Sequence, residues 1–493
     1  MKLHAGAALL LAAAALGCAA TRGDRPVVVG SKAFTESVIL GEMATALARG
    51  AGVDVEHRRQ LGGTEVLFRA LVTGAIDVYP EYTGTITHEI LRGVGVAPDR
   101  DAIAAALAGR GVRVSAPLGF SDGYALAMTE RRAAALGIRR ISDLAAHPEL
   151  AFALSNEMIS RGDGWPALRA RYALPQDPRG MDHDLAYHAL ADGVADVTDV
   201  YTTDAEIPAY HLRVLEDDRR LFPTYEAVWL YRADLPARAP AAVAALAALA
   251  GKIDAPTMAA LNARAKLDHV PETAVADAFL AGHVEGPHAA AREPSTAAAI
   301  ARRTGEHATL VVLSLLAAML VAIPLGILAA RWPRLGNLVV GATEILQTIP
   351  SLALLVLLIP LFGIGTPPAL VALFLYGLLP ILRNTHAGLV GIPPSLRESA
   401  LALGLPSRAR LRLVELPLAL PSIVAGIKTS AVIAVGNATI GALVGAGGYG
   451  QPILTGVRLD DFALILQGAI PAALMAIAVE RLFDALARRL THA

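Results

Sequence analysis

Few residues of this chain have the types and spacing that bond-making chemistry requires. No G-x-x-x-x-G-K-[ST] phosphate loop is present, because Gly426-Ile427-Lys428-Thr429 has the wrong order and lies in an apolar stretch. Neither H-E-x-x-H nor G-x-S-x-G occurs, and Cys18 is the only cysteine, so internal disulfides and cysteine-cluster metal sites are excluded. What remains is recognition chemistry. Glu157 and Arg161 stand one helical turn apart, so that the carboxylate could orient the guanidinium if the segment is helical; an ordinary surface ion pair is the equal alternative. Arg397 to Pro417, reading RESALALGLPSRARLRLVELP, is an arginine-bearing interruption of a block that is otherwise apolar from about His307 to Leu486. A charged loop between membrane spans belongs in the cytoplasm, where it is available for docking.

The elements that must position these residues divide sharply by composition. The 493 residues are 54% hydrophobic, with Lys+Arg 43 against Asp+Glu 44 and a formal net charge of -1. That balance points away from a nucleic-acid partner. The apolar excess is concentrated at the start and in the last two-fifths of the chain. Residues 1–20 carry Lys2, an apolar run from Ala5 to Leu16 and then Gly17-Cys18, which reads as a secretory signal peptide.

Residues 25–281 read as a soluble α/β domain of two lobes. Val27 to Gly30 is a buried-strand run, Ser37 to Arg49 has helical spacing, and strand-like pieces recur at Ala125 to Met128, Ala151 to Leu154 and Ala195 to Thr198. The alternation predicts parallel sheets flanked by helices. Residues 282–304 read as a linker rich in glycine, proline and charge. Residues 305–490 form an all-α transmembrane domain with five spans expected near 308–330, 338–362, 367–383, 420–445 and 462–487, the second interrupted by Pro350 and Pro360. With an exported N-terminal domain, Arg331, Arg334, Arg383, Arg397, Arg408, Arg410, Arg412, Arg488 and Arg489 all fall on the inner side. Glu344, Gln347 and Asn437 are polar groups within spans, for which pathway lining and helix-helix hydrogen bonding are both open; Lys428 near an inner end is expected to snorkel. The glycine run Gly445 to Gly450 reads as a flexible outer loop.

Several segments resemble known transporters. Glu398, Ser399 and Ala400, then Gly404, then Leu416 and Pro417, resemble the EAA loop of ABC-importer permeases, which implies a coupling helix docked on a separate ATPase. VGSKAFTES at Val29 to Ser37, QLGGTEVLFRAL at Gln60 to Leu71, IDVYPEYTGT at Ile76 to Thr85 and PLGFSDGYALAM at Pro117 to Met128 resemble the substrate-binding proteins of quaternary-amine importers. So do RGDGWPAL at Arg161 to Leu168, MDHDLAYHAL at Met181 to Leu190, DVTDVYTTD at Asp196 to Asp204 and LEDDRRLFPTYEA at Leu215 to Ala227. Gly17-Cys18 resembles a lipoprotein cleavage site, which implies lipidation of Cys18, although Leu16 sits one place later than that pattern has its leucine.

The resemblance implies a trimethylammonium cage of Tyr82, Tyr124, Tyr201 and Tyr225, because such a cation donates no hydrogen bond and is held by the negative faces of aromatic rings. It also implies Lys32, Thr85 and Arg161 as donors to a ligand carboxylate, with Glu157 beside Arg161, which favours a zwitterion such as glycine betaine over choline. Asp122, where relatives often carry asparagine, would favour a more cationic ligand. The implied machine is an importer subunit in the bacterial inner membrane with its binding domain outside. It works as a permease homodimer or heterodimer with a separate ATPase, and it has no cofactor. The alternatives are the same machinery carrying ergothioneine or another trimethylated betaine and, from another class, a ligand-gated channel or receptor.

Overall fold

The structure, a computed structural model, describes residues 25–97, 99–289 and 295–491. Cys18 and the signal segment lie outside them. The chain divides into two compact units, Met1–Arg292 and Glu293–Ala493.

Among its described residues the first unit carries ten strands: β1 (Val27–Gly30), β2 (Val55–Arg58), β3 (Val78–Tyr82), β4 (Val112–Val114), β5 (Tyr124–Thr129), β6 (Ala153–Ser155), β7 (Arg179–Met181), β8 (Thr198–Tyr201), β9 (Leu212–Val214) and β10 (Ala227–Arg232). The first lobe is built on a sheet of order β2-β1-β3-β10-β4, the second on β8-β5-β9 with the small pair β6-β7 beside it. The sequence-based expectation of parallel sheets holds for β1 with β2 and β3, and for β6 with β7. It fails for β10, antiparallel to both β3 and β4, and for the whole of the β8-β5-β9 sheet. The reason is the path of the chain: it leaves the first lobe after β4, builds the second, and returns so that β10 runs back between β3 and β4. The two crossovers pair with each other, Ser121 bridging Glu226 and the Asp122 N–H donating to the Tyr225 carbonyl at 3.0 Å.

The helix Thr35–Gly50 is buried from Thr35 to Ala48. Alanine and glycine along it let the helices Pro240–Ala247, Ala255–Lys266 and Glu272–His283 pack close against it, which completes the first lobe. The core runs through Ile39, Leu40 and Met43 of this helix to Val29, Val78 and Trp229 of the sheet.

The second unit is helical. Thr296–Arg331, Thr366–Val390, Ser407–Val444 and Phe462–Arg489 are each long and apolar enough to cross a bilayer. Gly336–Thr348 and Ser351–Phe362 meet at 99° and make a fifth span only if the bent pair counts as one. The described residues therefore give four or five spans where five are expected. The break falls at Pro350, whose ring leaves the preceding residue extended, whereas Pro360 sits inside its helix. Helix begins at Thr296, inside the stretch read as linker. Arg302, Arg303 and Glu306 lower the hydropathy there without breaking the helix, and Arg302 pairs with Glu306 one turn on at 2.8 Å. The glycine run Gly445 to Gly450 is likewise not free: the Gly448 N–H donates to Glu306 at 2.9 Å, and a helix missed in the sequence, Gly450–Arg458, follows.

Candidate functional site

The ends of β3, β5 and β8 and the second crossover converge on one cleft. In β5 and β8 the antiparallel register places Tyr124 opposite Tyr201, so both rings leave the sheet on the same face. Tyr82 closes β3, where the chain turns into Thr83–Thr85, and Tyr225 lies on the crossover into β10. Gly84 is required beneath it, because a Cβ there would stand 2.5 Å from the Tyr225 ring. Ring centroids are 5.0 Å apart for Tyr124–Tyr201 and 5.6 Å for Tyr124–Tyr225. Phe34 joins them, 5.7 Å from Tyr201 and 6.3 Å from Tyr82. All eight residues expected from the sequence, Lys32, Tyr82, Thr85, Tyr124, Glu157, Arg161, Tyr201 and Tyr225, line a single cavity of about 300 Å³, together with Phe34, Thr64 and Asp122. Burial pushes the phenols of Tyr82, Tyr124, Tyr201 and Tyr225 upward, so all four stay neutral donors around a polarisable wall.

The charges are arranged differently from expectation. Glu157 does not orient Arg161. The helix Asn156–Ser160 ends before Arg161, whose backbone is extended at φ -71 and ψ 146, and this turns its side chain away from the i−4 position. Its guanidinium instead forks onto Asp163, Nε at 2.9 Å and Nη2 at 2.7 Å. The Tyr225 hydroxyl donates to the same carboxylate at 2.7 Å. Burial pushes the Asp163 carboxyl up, but Arg161 and Tyr225 outweigh it and hold Asp163 below the usual carboxylate range. Glu157 accepts from the Tyr201 hydroxyl at 3.4 Å.

Lys32 likewise has its own counter-ion, Glu81, at 2.5 Å, and Glu81 is fully buried. The Lys32 ammonium sits 5.6 Å from the centre of the Tyr82 ring, and the Arg161 guanidinium 5.0 Å from that of Tyr124. Both cations expected to wait for a ligand carboxylate thus arrive neutralised. Asp122, which accepts from the Thr203 N–H at 3.2 Å, has its carboxyl pushed well up by burial, reinforced by Glu36 and Asp204. Phe34, Glu81 and Asp163 were missed in the sequence although each lies within a quoted motif: Phe34 two residues after Lys32, Glu81 directly before Tyr82, Asp163 two after Arg161.

Residues 25–282 match the family described as the substrate binding domain of ABC-type glycine betaine transport systems. The chain belongs to this family. Residues 322–492 match the inner membrane component of binding-protein-dependent transport systems. One protein therefore joins the capture and membrane parts of a glycine betaine/choline/carnitine-type ABC importer. The choline transport system permease protein OpuBB of Bacillus subtilis is 42% identical over 191 residues, 39% of this chain and 88% of that protein. The osmoprotectant import permease protein OsmW of Salmonella typhimurium is 44% identical over 192 residues, 38% of this chain and 89% of that protein. A crystal structure of a glycine betaine/carnitine/choline ABC transporter aligns over 52% of this chain and 98% of its own, at 26% identity and a TM-score of 0.45.

In the membrane unit, Glu398, Ser399 and Ala400 lie on the helix Pro394–Ala402. Gly404 ends it at φ 71, where the Leu405 N–H reaches back to the Ala400 carbonyl at 3.2 Å. Leu416 and Pro417 are not on this short helix; they begin the helix Leu416–Ala438, inside the span Ser407–Val444. Leu401 and Leu403 stand exposed, Leu403 at 79%. Of the polar groups within spans, Gln347 donates to the Tyr376 carbonyl at 3.4 Å and Glu344 stands 3.8 Å from Arg383. Asn437 lines a cavity of about 280 Å³ with Ser351 and Tyr376. The Lys428 ammonium lies 2.6 Å from Asp484 and 3.4 Å from Glu480.

Proposed function

We propose that the binding domain captures small quaternary-ammonium solutes in the cage of Phe34, Tyr82, Tyr124, Tyr201 and Tyr225, and hands them to the membrane unit for inward transport. The observation that carries this is the convergence of five aromatic rings on one cavity of about 300 Å³. A desolvated cation over an aromatic face gains up to ~2 kcal/mol, and several faces together replace the hydration that a trimethylammonium group gives up.

Charge decides the order among solutes. Lys32 with Glu81 and Arg161 with Asp163 form two neutral pairs, and Glu157 adds a carboxylate with no cation of its own among these contacts. A ligand carboxylate must compete with Glu81 and Asp163 for its donors, which favours a cation such as choline over a zwitterion such as glycine betaine. This reverses the order drawn from the sequence. The names of relatives point to the same group of solutes, choline among them.

The domain works on the outer face of the bacterial inner membrane, and transport is driven by a separate ATPase seated on the 397–417 loop of a permease dimer. The exposed Leu401 and Leu403 beside the arginines of that loop support a docking role. Competition uptake tests the reading: cells relying on this chain and its ATPase take up labelled choline, and unlabelled glycine betaine competes more weakly than unlabelled choline. Uptake inhibited by neither solute contradicts it.

A further inference from the structure

Behind Phe34 and Tyr201 lies a second cavity of about 310 Å³ that shares Phe34, Asp122 and Tyr201 with the first and adds Glu36, Thr203 and Asn262, which do not line the first. Glu36 is buried at 3% exposure, on the helix Thr35–Gly50 of the first lobe. Its Oε1 accepts from the Tyr82 hydroxyl at 2.5 Å. Its Oε2 accepts from the Thr203 hydroxyl at 2.5 Å and from the Asn262 amide at 3.2 Å. Tyr82 and Asn262 belong to the first lobe; Thr203 follows β8 in the second, two residues beyond Tyr201. One carboxyl group thus grips a cage ring of one lobe and the strand end that carries a cage ring of the other.

We propose that Glu36 is a positioning residue for ligand capture, the group through which the two lobes hold the aromatic cage in its closed arrangement. The inference rests on the quaternary-ammonium reading of the cage. Glu36 does not touch the ligand; it acts through Tyr82 and through Thr203.

Three donors and no water-facing edge suit an ionised carboxylate, and each charge-assisted bond of this type shifts an equilibrium by about tenfold or more. Burial pushes Glu36 up to about 7, against the bonds from Thr203, Tyr82 and Asn262, with Asp204 adding to the rise. The charged neighbours from every side are Asp122 of the first crossover, Asp204 after β8, His183 of the helix His183–Ala191 and Lys266 of the helix Ala255–Lys266. Asp204 is held by His183 at 3.0 Å, and Lys266 by Asp184 at 2.5 Å and by Glu206. A cation bound in the cage favours the ionised form of Glu36. By linkage, ligand binding tightens as pH rises through the titration of this carboxyl.

Glu36→Gln breaks the arrangement chemically. The single amide oxygen cannot serve both hydroxyls, so in either orientation the new NH2 stands where one of the two hydroxyls now donates. The test is choline and glycine betaine titration of the full chain in lipid nanodiscs, at about pH 6 and about pH 8, for the wild type, Glu36→Gln, Thr203→Val and the double variant. The wild type is expected to bind severalfold tighter at the higher pH. Glu36→Gln loses about tenfold at that pH and most of the pH dependence. Thr203→Val also weakens binding, and the double variant is no weaker than Glu36→Gln alone, because both remove one coupling. Should Glu36→Gln fail to fold, Thr203→Val alone carries the test, by its lower affinity and shallower pH slope. Wild-type affinity and slope in either folded single variant overturn the proposal, as does strict additivity. A wild type that binds neither solute overturns the quaternary-ammonium reading, and this inference with it.

Discussion

Tyr124 and Tyr201 are cross-strand partners whose hydroxyls stand 3.5 Å apart and whose ring centres are 5.0 Å apart. A slip of β8 by one residue would turn Tyr201 to the opposite face of the sheet from Tyr124, so the register of β5 with β8 is what keeps the two rings together. Tyr201→Ala removes one wall and is expected to weaken choline binding by tenfold or more. Tyr201→Phe keeps the ring and costs about threefold or less, since only the bond to Glu157 and the contact with Tyr124 are lost. Equilibrium titration of the two variants separates ring from hydroxyl.

The Arg161–Asp163 fork makes a prediction about selectivity. Asp163→Asn keeps a partner for the Tyr225 hydroxyl but releases the guanidinium from its counter-charge. Glycine betaine should gain on choline by roughly tenfold, the scale of one charge-assisted hydrogen bond. Competition binding reads the ratio; an unchanged ratio would show that Arg161 does not meet the ligand's other end.

Glu36 also predicts how stability depends on pH. Its folded-state value of about 7 lies above the usual 4.5, so the folded form holds a proton that the unfolded form has already lost. Its contribution to stability is therefore complete below about pH 4.5 and fades as pH rises through about 7. Thermal denaturation of the wild type should show this decline, and Glu36→Gln should flatten it by the share that Glu36 contributes.

In the membrane unit, Lys428 meets Asp484 and Glu480 across two helices. Lys428→Met alone takes from Asp484 and Glu480 the cation nearest to both, leaving only the weaker pull of Arg481 and Arg488 on Asp484, and is expected to lower the denaturation temperature in detergent. Adding Asp484→Leu should restore part of the loss, because a neutralised pair is tolerated better than half of one.

Leu403 is so exposed that a charge there should leave the fold intact. Leu403→Glu is expected to abolish uptake while leaving choline affinity unchanged. Ligand titration beside uptake in the same cells separates the two effects, and normal uptake would remove the loop from the coupling path.

The sequence made most of this site legible, because its motifs are short and local. Six of the eight quoted binding-domain segments delivered a tyrosine or a cation to the cleft; Gln60 to Leu71 brought only Thr64, and Met181 to Leu190 brought no lining residue. What it concealed were the counter-ions: Glu81 and Asp163 look like ordinary surface acids until the fold buries them against Lys32 and Arg161, which the sequence alone had assigned to the ligand. Sheet order was equally hidden. β10 pairs with β3 through residues some 150 positions away, as Tyr82 with Ala227, and strands of three to six residues carry too little periodicity to announce a direction. In the membrane half, hydropathy found the apolar cores but placed the first helix late, since Arg302 and Glu306 satisfy one another within the helix.

The central claim is that this chain captures a quaternary-ammonium cation in its aromatic cage. Calorimetric titration of the full chain in nanodiscs with choline and glycine betaine tests it most directly. The account predicts one saturable choline site per chain, tighter than that for glycine betaine and lost in Tyr201→Ala. Binding of neither solute, or choline binding that survives Tyr201→Ala undiminished, would contradict it.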